Sequence, residues 1–287
     1  MTEHPQDFEA LKREAERVAK ELDIPPCPAI LSKFNQEFNS RHPDLRRMAA
    51  LIGSDIGLSA MVLKTVNSPF YGLTNKATSV DKALSILGLR ASANLVSGLL
   101  LRRAFPASAG GTIERFWDRS TRIAVLAAWL ATRMKDLNPS ETHTYVLFRD
   151  CGMLVMLRKF PQYAEIIEQS ASIPGMQLAR AEDARFGFNH ARVAAALARS
   201  WSLPDPLSAA IACHHDFALR QTHAPTIGPP DPKLVAFGLL AEQVFALQIN
   251  QGLCPDWAGA EYFVLSTLGI DADDIVSLTE DLPALAA

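Results

Sequence analysis

The chain has 287 residues, 48% hydrophobic and 21% charged, with a net charge of −3. That length suffices for one large core or two lobes, and that charge argues against a protein built to coat nucleic acid. Four scattered cysteines (Cys27, Cys151, Cys213 and Cys254) lack CxxC spacing, which argues against a zinc cluster or disulfide framework and leaves a cytoplasmic protein with reduced thiols as the expectation.

The first nine residues are polar and acidic, unlike a signal peptide, and no apolar run reaches the length of a bilayer span. Phe8, Leu11, Ala15, Val18 and Leu22 recur at three and four, predicting an N-terminal amphipathic helix over residues 1–22. It serves as a dimer or partner helix, or docks on its own domain. Ile24-Pro-Pro-Cys-Pro28 ends it, because proline cannot continue a helix. Leu45, Met48, Ala49 and Ile52 form the next stripe; Gly53-Ser-Asp55 breaks it, and Leu58, Met61, Val62 and Thr65 begin another. Asn67-Ser-Pro-Phe-Tyr-Gly72 reads as a turn with two aromatics. Ser79 is an N-cap for Val80–Leu87, Gly88 a terminator, and Leu95, Val96, Leu99 and Leu100 mark one more helix.

Pro106-Ala-Ser-Ala-Gly-Gly111 reads as a hinge between lobes. Beyond it, Ile123, Leu126, Ala127, Leu130, Ala131 and Met134 give a strong helical stripe. Asn138-Pro-Ser-Glu141 reads as a capping box that opens a helix through Arg149 and Asp150. Helices around Val193–Trp201 and Ser208–His215 follow, then a proline-rich linker, then Lys233–Asn250, Ala258–Leu268 and Ala272–Leu278. With no long alternating apolar-polar run, the fold class is all-α. Residues 221–287 hold one base, Lys233, against nine acids, a net of −8 that leaves +5 on the remainder. Such opposition suggests that the tail docks on the body or that each part faces a different partner; an ordinary solvated acidic surface is the plain alternative.

The charged dyad Arg149-Asp150 sits in an apolar run, Tyr145 to Leu157, where burial demands compensation. His-Asp there would bind metal. Arg-Asp does not, since a guanidinium stays protonated and has no lone pair to give. Arg119, Arg149, Asp150, His190 and the pair His214-His215 lie on or beside separate helices whose apolar faces can converge in a bundle. His42, His143 and His223 have no pattern and are expected at the surface.

From about Leu22 to Phe217 the chain resembles the HDOD family, degenerate relatives of the HD and HD-GYP metal-dependent phosphohydrolases. The resemblance rests on Ile-Pro-Pro-Cys-Pro28, the turn Asn67 to Leu73, Ser79-Val-Asp-Lys-Ala-Leu-Ser-Ile-Leu-Gly-Leu-Arg90, Phe116-Trp-Asp-Arg-Ser120, His190 and Trp201-Ser-Leu-Pro204. It implies a two-lobed HDOD domain over 23–220, with a first helical lobe at 23–110 and a degenerate HD-like lobe at 111–220. Residues 221–287 remain as a linker and acidic helices.

In active HD relatives a histidine stands where this chain has Arg119, and a His-Asp dyad where it has Arg149-Asp150. Two arginines would repel an ion, so the expectation is no metal and no cofactor, with Asp150, His190 and His214 (or His215) the residues that would serve if one bound. The guanidinium charge would replace the metal and fork onto Asp150, in a pocket that could hold an anion or a partner. The plain alternatives are an Arg149 that snorkels, a solvated Arg119, a hydrogen-bonded semi-buried His190, and a His214-His215 pair that caps a helix end. The implied function is a non-catalytic, cytoplasmic, bacterial signal-transduction module that binds protein partners, with a link to cyclic di-GMP networks and no contact with nucleic acid or membrane. A residual phosphohydrolase acting on nucleotides or cyclic dinucleotides, and a nucleotide- or anion-binding sensor without turnover, are the alternatives.

Overall fold

The computed structural model describes residues 20–68, 71–106, 111–135, 137–216, 230–249 and 251–281. Most of the expected N-terminal helix, Phe70 of the turn, His223 and most of the proline-rich linker lie outside the described residues. Among the described residues the secondary structure is helical, without strands. Residues 26–106 form one compact unit; residues 20–25 and 111–281 form the other.

In the first unit, α1 (Ala29–Phe38), α2 (Leu45–Gly53), α3 (Ile56–Val66) and α4 (Val80–Ala104) bury Leu31, Phe34, Met48, Ile52, Leu58 and Val62. Asp44, Asp55 and Ser79 cap the starts of α2, α3 and α4 by accepting from Arg46, Leu58 and Lys82 backbone N–H groups. The Asn67 amide explains why the turn opens on asparagine. It donates to the Ala77 carbonyl at 2.9 Å and accepts from the Ala77 N–H at 2.7 Å, closing the loop. Gly88 breaks α4 at φ 77°, ψ 176°, a conformation only glycine adopts freely. By overall length and composition α4 is the one described helix that could cross a bilayer, contrary to the reading of the bare sequence. The break at Gly88 divides it into pieces each short of the ~20 residues a span needs.

The second unit is built around α5 (Thr112–Met134), whose predicted stripe is buried at Ile123, Leu126, Ala127, Leu130 and Ala131. Asn138 caps α6 (Pro139–Arg149) through its side chain. The chain then turns at Asp150 and Cys151 into α7 (Gly152–Lys159). The expected helix through Arg149 and Asp150 therefore ends at Arg149, and the acid sits at the joint. The cause is close packing: a Cβ on Gly152 would lie 2.0 Å from the His190 carbonyl oxygen. Next come α8 (Tyr163–Ser170), α9 (Gly175–Phe186), α10 (His190–Ser200) and α11 (Asp205–Ala212). The Trp201 indole N–H donates to the Pro25 carbonyl at 3.0 Å, tying together two segments that carry the family resemblance.

α12 (Pro232–Gln248), α13 (Trp257–Leu268) and α14 (Ala272–Glu280) belong to the same compact unit as α5. α12 is buried almost all round, including Leu234, Val235, Phe237, Leu239, Leu240 and Val244, as befits a core helix. Of the readings open for the acidic tail, docking on the body describes it: Asp281 pairs with Arg133 at the end of α5. All four cysteines are free.

Candidate functional site

Arg149 closes α6 with a side chain only 2% exposed, so it does not snorkel. A Cβ at Gly238 of α12 would sit 2.7 Å from its Nη1, so that glycine makes room for the guanidinium. Its main partner is Glu242 of α12, with Nη2 to Oε1 at 2.5 Å; only Nε reaches Asp150, at 3.3 Å. The expected fork onto Asp150 is thus a bridge between two acids, because α12 brings a second carboxylate to the guanidinium. Arg119 is 32% exposed, stands over the Phe245 ring, and meets Glu242 only at 4.0 Å.

Beside this ion pair the other expected residues converge. Asp150 Oδ1 lies 3.2 Å from His214 Nε2 and 3.8 Å from His190 Nε2. His190 Nε2 lies 2.9 Å from His215 Nε2. One ligand atom from each of Asp150, His190, His214 and His215 falls within 4.8 Å of every other. His190 is fully buried rather than semi-buried, since it begins α10 facing the α7 joint.

Each imidazole is held from behind. His190 Nδ1 and backbone N–H donate to Glu182 Oε2 at 2.7 and 2.8 Å, while the Tyr163 hydroxyl donates to Oε1. His214 Nδ1 donates to the Ile211 carbonyl at 2.7 Å, at the end of α11. His215 Nδ1 lies 2.9 Å from Asp256 Oδ2, and Asp256 Oδ1 accepts the Gly175 N–H at 2.7 Å. A Cβ on Gly175 would fall 1.9 Å from His215 Nδ1, so the ring needs that glycine.

Burial opposes the charge on Asp150, but Arg149 and His214 hold its carboxyl well below the usual range. Burial lowers His190 too, yet Glu182 overcomes it and the net shift is upward. Burial pushes His214 down to about 4 and His215 to about 3, with a neighbouring imidazole adding to each. Burial raises Glu242 against the pull of Arg149, and raises Asp256. Away from the site, His143 is half-buried on α6 rather than superficial, and burial pushes it down to about 4.

Glu182, Glu242, Asp256 and Tyr163 were not among the residues singled out from the sequence. Glu242 had a signal: a lone acid inside the apolar run from Leu234 to Ala246, the same argument that exposes Arg149. Glu182, in Arg180-Ala-Glu-Asp-Ala184, reads as an ordinary solvated helix residue and had none.

Residues 24–217 match the HDOD domain family, more than half of the chain. The chain belongs to the HDOD family. An uncharacterized protein from Treponema pallidum (strain Nichols) is 27% identical over 219 residues, which is 75% of this HDOD chain; the chain spans 41% of that relative's length. The HDOD fold recurs in an HDOD domain protein of unknown function from Geobacter sulfurreducens, with TM-score 0.65, 22% identity, and 96% and 95% of the two chains covered. A protein provisionally named a phosphohydrolase from Shewanella amazonensis SB2B matches with TM-score 0.66 and 23% identity over 92% and 91% of the chains. One provisionally named a signal transduction protein from Marinobacter aquaeolei VT8 matches with TM-score 0.69 and 20% identity over 96% of this chain and 62% of that one.

Proposed function

We propose that this HDOD chain is a non-catalytic bacterial signal-transduction module that works in the cytoplasm by binding a protein partner. The observation that carries the proposal is Arg149. Its buried guanidinium is satisfied by Glu242 and Asp150 at the position where active HD relatives place a metal-ligating histidine. A guanidinium offers no lone pair, keeps its charge, and takes up the carboxylates that an ion there would need. A hydrolytic metal centre also needs an open position for water, with the ion placed to activate it. The provisional name of the Marinobacter neighbour is in keeping with a signalling role.

The second reading, a residual phosphohydrolase, is favoured by one observation: the four converging ligand atoms of Asp150, His190, His214 and His215. Turnover separates the two. The purified chain is assayed on cyclic dinucleotides, nucleoside monophosphates and a generic phosphodiester with added manganese or iron(II), beside an Asp150→Ala control. The expected result is no turnover from either protein. Multiple turnover in the wild type that disappears in the variant would establish the hydrolase and sink the non-catalytic reading. Pull-down from the native host with the wild-type chain as bait then identifies the partner.

A further inference from the structure

We propose that this chain associates head-to-tail with a second copy of itself, the basic first unit of one copy (residues 26–106) meeting the acidic helices α13 and α14 of the other. This contact goes beyond the partner-binding reading and does not depend on it.

The first observation is where apolar surface is left uncovered. Among the described residues six large apolar side chains stand exposed: Ile56, Ile86, Ile249, Leu253, Tyr262 and Val276. One such residue alone is ordinary on a protein surface. Their distribution is not, because two lie in the first unit and four within residues 249–276, while the described stretch from 111 to 248 has none. The two most exposed, Ile56 at 87% and Tyr262 at 83%, fall one in each set. Neither serves the core of its own helix. Ile56 opens α3, and Tyr262 stands on α13 opposite the buried stripe of Trp257, Ala260, Val264 and Leu268.

The second observation is charge. Residues 26–106 hold ten bases against four acids, a net of +6, and two of those acids, Glu37 and Asp55, are already paired with Arg47 and Arg103. Lys64 follows Ile56 by two turns on the same exposed face of α3, and Lys82 precedes Ile86 by one turn on α4. Neither lysine makes an ion pair among the described residues. Residues 249–281 hold seven acids and no base. Four of these acids have work within the chain: Asp256 supports His215, Asp271 and Asp274 form the capping box of α14, and Asp281 meets Arg133. Glu261, beside Tyr262, and Glu280, one turn beyond Val276, are exposed and make no ion pair among the described residues.

Each set is therefore an apolar anchor flanked by charge of one sign, and the other set is its complement. Tail on tail, or first unit on first unit, would bring like charges together, so an isologous contact is disfavoured and a heterologous one favoured. The anchors supply the holding energy, while the opposed charges speed encounter and select the pairing. At −3 overall, the chain carries little net repulsion against its own copy.

The test follows the full chain by sedimentation velocity over a concentration series at low and high salt. The weight-average mass should rise above that of the monomer with concentration, and fall back toward it in high salt, which screens exposed charges. Tyr262→Ser and Ile56→Ser change exposed side chains and leave the core intact, which thermal melts by circular dichroism will verify. Each should weaken association about tenfold or more, as loss of an anchor at the centre of an interface does. An equimolar mixture of the two variants should associate again, because Ile56 of one and Tyr262 of the other still form an intact contact. Wild-type protein that stays monomeric at every concentration would overturn the proposal. So would an association indifferent to salt and to both substitutions, as contact through the N-terminal amphipathic segment would be, or folded variants that fail to recover on mixing. A basic protein that binds α13 and α14 of a chain that never self-associates would assign the acidic surface to that partner instead, and would equally overturn it. Phosphodiester turnover and partner capture are separate readouts, so the failure of this inference is distinguishable from the failure of the functional reading.

Discussion

Removing Glu242 should strand a charge in the core. Glu242→Ala deletes the carboxylate 2.5 Å from Arg149 Nη2, while the arginine remains 2% exposed and keeps only the Asp150 contact at 3.3 Å. Breaking a buried pair by removing one partner costs about 3–5 kcal/mol, because the survivor is left desolvated and unpaired. The retained Asp150 contact places this case near the lower end, about 3 kcal/mol. At about 2–4 °C per kcal/mol for a domain of this size, Tm should fall by about 6–12 °C. Thermal melts followed by circular dichroism measure it, with Asp273→Ala on exposed α14 as a control that should stay within about 0.5 kcal/mol of the wild type. The double variant Arg149→Met/Glu242→Leu should recover most of the loss, since it removes both charges and refills the volume. If Glu242→Ala melts like the control, the guanidinium is hydrated in solution and the account of Arg149 as a satisfied replacement for a ligand is wrong.

Gly152→Ala should destabilise by about 3 kcal/mol or more, because the new methyl meets the His190 main chain, which cannot swing aside; a denaturant titration with an unchanged midpoint would mean that α7 and α10 do not pack this closely. His143, lowered from 6.5 to about 4 by burial, is neutral in the folded state and protonates more readily once unfolded. Its stabilisation is present above pH 6.5 and is lost as pH falls from there through 4, so Tm should decline across that window, and His143→Gln should flatten the decline.

Most helices were legible because their apolar residues recur with a helical period, and because Ser79, Gly88 and Asn138 announce where helices start or break. The convergence of Asp150, His190 and the His214-His215 pair was also legible, since polar residues facing apolar stripes have little choice but to meet in the bundle. Which acid answered Arg149 was not. Glu242 is far along the chain, and only the packing of α12 on α5 and α6 brings the two together; helical periodicity carries no information about such distant pairing. Asp256 was hidden differently. It belongs to the short connection Cys254-Pro-Asp-Trp257, where an aspartate ordinarily serves a turn, and its role depends on the close approach of Gly175. The placement of Asp150 at a joint followed from Gly152, whose effect comes from the neighbour it allows rather than from any local pattern.

The stretch that defines the family, residues 24–217, is not a severable piece of this molecule. Cutting there would delete α12, with the counter-charge of Arg149 and the cover over one side of α5, and beyond it Asp256, the support behind His215. The fragment would bear a raw apolar scar and an orphaned cation at the same place, and would be prone to clump rather than to reveal what the intact protein does. Mutants and baits intended to probe this chain should therefore keep its last helices, which are as much a part of the site as the motif residues themselves.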